Sequence, residues 1–130
     1  MKKLRFTNVW LTVGLFLVGL VMCASLMPNP PELTHVQGSD KVMHAAAYFI
    51  LTFWFVQIYV SNRVRWAIGF AFIMLGVSIE YLQRMSGYRV FEYGDMAANT
   101  VGVLCALLAA QTPLARGLLV VEKCLLRRVR

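Results

Sequence analysis

Nine polar residues stand in or beside strongly apolar stretches of this chain, at spacings able to support chemistry. Asp40, His44 and Tyr48 recur every four residues and Lys41 precedes His44 by three, which puts all four on neighbouring parts of one helical surface. Glu80 and Gln83 are three apart, Asp95 and Asn99 are four apart, and Arg89 lies between those pairs. Carboxylates, a lysine, an arginine and an imidazole together make a mixed-charge pocket, suited to a zwitterionic or anionic head group. Arg89 is able to clamp a phosphate or carboxylate bidentately, and a helix beginning at Asp95 offers free amides to an anion.

Two other chemistries use the same residues. In a hydrolase, His44 would serve as general base with Glu80 or Asp95 orienting it, but no serine or cysteine nucleophile accompanies the cluster. His44, Glu80 and Asp95 are also acceptable metal ligands; without HExxH spacing or a Cys/His cluster, neither a metal nor a cofactor is expected.

Each residue has a plainer reading. Asp40 (or Ser39) and Asp95 stand where helix N-caps stand, a role worth ~1 kcal/mol without any ligand. Lys41 can solvate a loop, Glu80 can pair with Arg84 four residues on, and Asn99 can bond another helix. His44 resists this treatment, because it lies one turn inside an apolar segment where an imidazole needs a partner.

The elements that position these groups follow from composition. At 130 residues and 59% hydrophobic, with a mean hydropathy of +0.65, the chain holds more apolar material than a soluble domain of its size can bury. The apolar residues fall into four blocks near the ~20 residues that span a bilayer. The expected spans are about 9–27, 41–60, 66–84 and 95–112, forming one domain over 1–113. Pro28, Pro30 and Pro31 stop the first span, residues 61–65 make a turn, and Gly87 and Gly94 bracket a loop. A cleaved leader is the rival reading of the first block, but Met22 suits a lipoprotein site before Cys23 poorly.

A net charge of +7 raises nucleic acid as a partner, and the distribution of charge argues against it. Ten of the thirteen basic residues lie before the first block (Lys2, Lys3, Arg5), between the second and third (Arg63, Arg65), or after the fourth (Arg116, Lys123, Arg127, Arg128, Arg130). With both termini cytoplasmic, four crossings put all ten inside, as the positive-inside rule requires. The nine polar residues then gather at the extracytoplasmic ends of the last three spans. Residues 114–130 form a basic amphipathic tail, with Leu114, Leu118, Val121, Leu125 and Val129 on one face, lying on the inner membrane surface. Cys23, Cys105 and Cys124 imply no disulfide framework and are expected to be small buried packing. Ala98, Gly102, Ala106 and Ala110 make a small-residue stripe that permits close helix contact and a homo-oligomer.

Taken in order, Asp40-Lys41-x-x-His44-x-x-x-Tyr48, Glu80-x-x-Gln83, Arg89 and Asp95-x-x-x-Asn99-x-x-Gly102 resemble the VanZ-like family of small bacterial membrane proteins, over roughly residues 38–110. That resemblance implies an all-α fold in the plasma (inner) membrane and an association with low-level resistance to the glycopeptide teicoplanin. The leading expectation is therefore a site that binds a cell-envelope molecule, either a lipid-linked wall precursor or a glycopeptide-type antibiotic, with membrane lipid as the constant partner. An enzyme acting on a lipid phosphate and a structural module without a ligand are the alternatives. Four short helices leave little room for a transport pathway.

Overall fold

An apolar segment satisfies its backbone amides most readily along its own axis, four residues away, and the apolar blocks of this chain are all helical. The computed structural model describes residues 4–28, 38–87 and 92–128. Among them are five α-helices: α1 (Thr7–Leu26), α2 (Ser39–Ile58), α3 (Asn62–Ser86), α4 (Tyr93–Ala109) and α5 (Gly117–Arg128). A single 3-10 turn covers Pro113–Arg116, and the described residues contain no strand. α1, α2 and α3 are long and apolar enough to cross a membrane. α4, with 17 residues, meets the same length criterion only together with the segment from Pro113 to Arg127, from which it is bent by 80°.

The boundaries depart from expectation for local reasons. α3 starts at Asn62 instead of Trp66, so Arg63 and Arg65 sit in its first turn and the connection from α2 is only Tyr59, Val60 and Ser61. α4 stops at Ala109 instead of about 112, because Pro113 opens the 3-10 turn and the Thr112 hydroxyl accepts the Leu114 amide at 3.3 Å. Gly87 does end α3, in the left-handed conformation at φ 72°, but Gly94 lies inside α4 instead of closing a loop.

The capping roles also fail. Gly38, at φ 86°, precedes α2, and Glu92 precedes α4; neither junction residue caps its helix with a side chain of its own. Ser39, Asp40 and Asp95 are already within the first turns. Their side chains are therefore released from capping to do something else.

The core is formed by Tyr48, Leu51, Phe55 and Val56 of α2, Phe72 of α3, and Val103 and Leu107 of α4 with Ala110 beyond its end, while α1 leans on it through Leu11, Leu17, Val18 and Val21. α2 and α4 form the tightest pair. A β-carbon at Gly102 would collide with the carbonyl oxygen of Ala45. The small-residue stripe is thus used within one chain: Gly102, Ala106 and Ala110 are buried and Ala98 is half-buried, so a homo-oligomer through that stripe would have to displace α2. Lipid supplies no hydrophobic drive for helix association, so such close backbone approach is what holds helices together there.

All three cysteines are exposed, contrary to the expected buried packing. So are Phe16, Phe70, Leu108 and many other large apolar side chains, an extent of surface that needs lipid or a partner to cover it.

At the end of the bundle where α2 stops and α3 starts, Arg65 is a clasp. Its Nε donates to the carbonyl oxygens of Val56 (3.0 Å) and Tyr59 (2.9 Å), and its Nη1 donates to that of Ala110 (3.0 Å). One cation thereby satisfies orphan carbonyls at the ends of both α2 and α4, where the helix dipoles are negative. α5 docks beside it: the Gln57 side-chain oxygen accepts the Leu118 amide at 3.1 Å. Glu122, with only 4% of its surface exposed, accepts the amides of Arg5 (2.7 Å) and Phe6 (2.9 Å) and the Trp10 indole N–H (3.1 Å).

Candidate functional site

The expected polar residues meet at the opposite end, where α2 and α4 begin and α3 finishes. Lys41 is the hub. Its ammonium lies 2.7 Å from Glu92 Oε2, 3.4 Å from Asp95 Oδ1 and 3.4 Å from Asp40 Oδ2. It reaches them by crossing Gly94, where a β-carbon would lie 2.8 Å from Lys41 Cε. Glycine at that position is what opens the way from α2 to the start of α4.

One turn further along α2, the His44 ring is held from both sides by α4. Its Nδ1 is 3.1 Å from Asn99 Oδ1 and its Nε2 is 3.6 Å from Asp95 Oδ2. The Asn99 carbonyl oxygen thus faces one ring nitrogen and the Asp95 carboxylate the other. Asp95 consequently touches Lys41 through one oxygen and His44 through the other, while being 5% exposed itself.

Glu80, at 1% exposure, projects from α3 and accepts the backbone amide of Glu92 at 2.9 Å. A carboxylate from one helix thus caps another, supplying α4 with the bond its own residues do not make. Tyr48 lies below His44 against Gly76 and close enough to Glu80 to feel its charge. Its buried hydroxyl has no hydrogen-bond partner among the described residues, nor does that of Thr52 one turn deeper.

The structure therefore assembles Asp40, Lys41, His44, Asp95 and Asn99 into one network, with Glu80 joined through Glu92 and Tyr48 beneath. Gln83 is not part of it: its amide turns to α1 and donates to the Ser25 carbonyl oxygen at 2.7 Å, a tie between helix ends. Arg89 lies outside the described residues. Glu92 was not singled out from the sequence, although an acid immediately before a helix is favoured by the dipole and so was a usable cue.

Carboxylate oxygens of Asp40, Glu92 and Asp95 lie within 4.8 Å of one another, close enough to share a metal ion. The Lys41 ammonium already stands among them, so a metal would first have to displace a tethered cation. No serine or cysteine nucleophile joins His44 in this network. What the arrangement can do is hold positive charge: three carboxylates surround the Lys41 ammonium, and one of them, Asp95, also faces the His44 ring.

Among curated proteins, the chain is similar to an uncharacterized protein of Schizosaccharomyces pombe, 32% identical over 100 residues. The match takes in 74% of this chain and 60% of the yeast protein, so the chain spans less than two thirds of that relative's length. No protein-family model matches the chain. No solved structure matches it either.

Proposed function

We propose that this is a four-span membrane protein of the VanZ-like kind whose polar cluster binds the amine-bearing head group of a cell-envelope lipid or lipid-linked precursor. In this reading α4 is the fourth span and both ends of the chain are cytoplasmic. α5 then lies along the inner surface of the plasma membrane. Its surface supports that placement, since Val121 and Leu125 are exposed on one side of the helix while Lys123 and Arg127 are exposed on roughly the other, although Leu118, expected on the same apolar face, is buried against the bundle.

The observation that carries the binding reading is the convergence on one ammonium of three carboxylates, Asp40 of α2, Asp95 of α4 and Glu92 just before α4. Lys41 acts as a resident stand-in for a ligand amine, and it is replaceable: its side chain is 43% exposed and those of Asp40 and Glu92 are about as open. The excess of carboxylates favours an ammonium group over a bare phosphate. A likeness to a yeast protein favours a head group found in many membranes, ethanolamine phosphate being one, over a ligand confined to a bacterial wall. A glycopeptide antibiotic bearing an amine would meet the same carboxylates, which is how a part in resistance would arise.

The test is lipid retention by the full chain in detergent, read by native mass spectrometry. Phosphatidylethanolamine should be held more tightly than phosphatidylcholine, whose methylated amine donates no hydrogen bond, and Asp95→Asn should remove the preference. Equal retention of the two lipids defeats the reading. Turnover of a lipid phosphate that depends on His44 would replace it with the enzyme.

A structural reading has its own support, because Lys41, His44 and Glu80 are each bonded within the chain. It expects Asp95→Asn to lower the melting temperature while leaving the lipid preference of the wild type absent from the start.

A further inference from the structure

At the end of the bundle away from the polar cluster lies an open cavity of about 1110 Å³, framed by the α2–α3 connection, the end of α4, the 3-10 turn and α5. Arg65, Arg116 and Lys123 line it together with Gln57 and Thr112, and no acidic residue is in its wall. The one acid of α5, Glu122, is turned toward α1 and spent on the amides of Arg5 and Phe6. Arg116 and Lys123 have no ion-pair partner among the described residues, whereas Arg65 is fixed by three backbone carbonyls and its Nη2 makes no hydrogen bond among those residues.

We propose that this cavity is a binding site for the phosphate of an anionic phospholipid head group. Three cations from three elements converge without a counter-charge, and one of them is locked in position before any ligand arrives. A guanidinium with free donors suits a phosphate oxygen. Val120, which lines the cavity and is mostly exposed, and the exposed Leu114 beside it provide an apolar edge along which acyl chains can continue into the bilayer. The occupant is accordingly a lipid and not a soluble anion. The site is remote from the cluster around Lys41 and does not depend on what that cluster binds.

The test again uses the full chain in detergent, titrated with phosphatidylglycerol or phosphatidylcholine and read by native mass spectrometry. Phosphatidylglycerol should be retained in preference. Arg116→Gln with Lys123→Gln should weaken that retention by about 10- to 30-fold, on the basis of the usual attraction per basic residue. Arg63→Gln with Arg127→Gln removes the same charge from outside the cavity and should weaken it several-fold less. Equal losses from the two double variants would show diffuse surface attraction and overturn the site. Competition by glycerol phosphate at concentrations matching those of the lipid would overturn the lipid as occupant, and so would equal retention of phosphatidylcholine.

Discussion

Gly102 of α4 stands against the carbonyl of Ala45 in α2 so closely that a β-carbon has nowhere to go. The obstacle is backbone, which cannot swing aside as a side chain can. Gly102→Ala should therefore cost at the upper end of the usual overpacking range, about 3 kcal/mol, and lower the melting temperature in detergent by several degrees. A variant as stable as the wild type would mean that α2 and α4 are not in register as described.

The Lys41 network makes a prediction about pairs. Asp95 is buried between Lys41 and His44, whereas Glu92 is half in solvent. Lys41→Met should lower the melting temperature because it strands a buried carboxylate, and adding Asp95→Asn should restore most of the loss. Glu92→Gln, an exposed partner, should stay within the ~0.5 kcal/mol typical of surface changes. A double variant worse than Lys41→Met alone would refute the coupling.

Tyr48 and Thr52 carry buried hydroxyls without partners. Removing a buried hydroxyl that has no hydrogen bond recovers a desolvation cost of roughly 1 kcal/mol. Tyr48→Phe should be neutral or stabilising in a thermal melt, whereas a clear loss of stability would reveal a partner.

Glu122 gives the pH dependence. Burial pushes its pKa up, but the amides of Arg5 and Phe6, the Trp10 indole and the Arg5 charge together outweigh that and hold it below its ordinary value of 4.5. A carboxylate with a lowered value contributes its stabilisation in full above the ordinary value and loses it as the pH falls through the lowered one. Hydrogen-exchange protection of the Arg5 and Phe6 amides should persist at pH 7 and collapse at acid pH below 4.5. In Glu122→Ala it should be missing throughout, and protection in that variant would remove Glu122 from the role.

Much of this arrangement was legible in the chain. The first three helices follow from apolar runs of the right length, and Lys41, His44, Asp95 and Asn99 could be assigned to one end of the bundle because helices that alternate in direction start α2 and α4 at the same end. What escaped were contacts between residues remote in sequence. Nothing near Glu122 hints that it serves α1, and nothing near Arg65 marks it as more than a topological charge; Gln83 resembled a neighbour of Glu80 yet faces α1. The small-residue stripe was recognisable as an interface, but periodicity cannot say whether its partner is α2 or another molecule. Asp40 and Asp95 misled for a different reason, since helix starts shift by a residue or two once Gly38 and Glu92 take the junctions.

The bond from Glu122 to the start of α1 joins residues 116 apart, and that separation constrains how the protein is made. When α1 leaves the ribosome, the group that completes its first turn has not yet been synthesised. The helix must wait through the production of α2, α3 and α4 before it is fastened, and premature termination before α5 would be felt at α1.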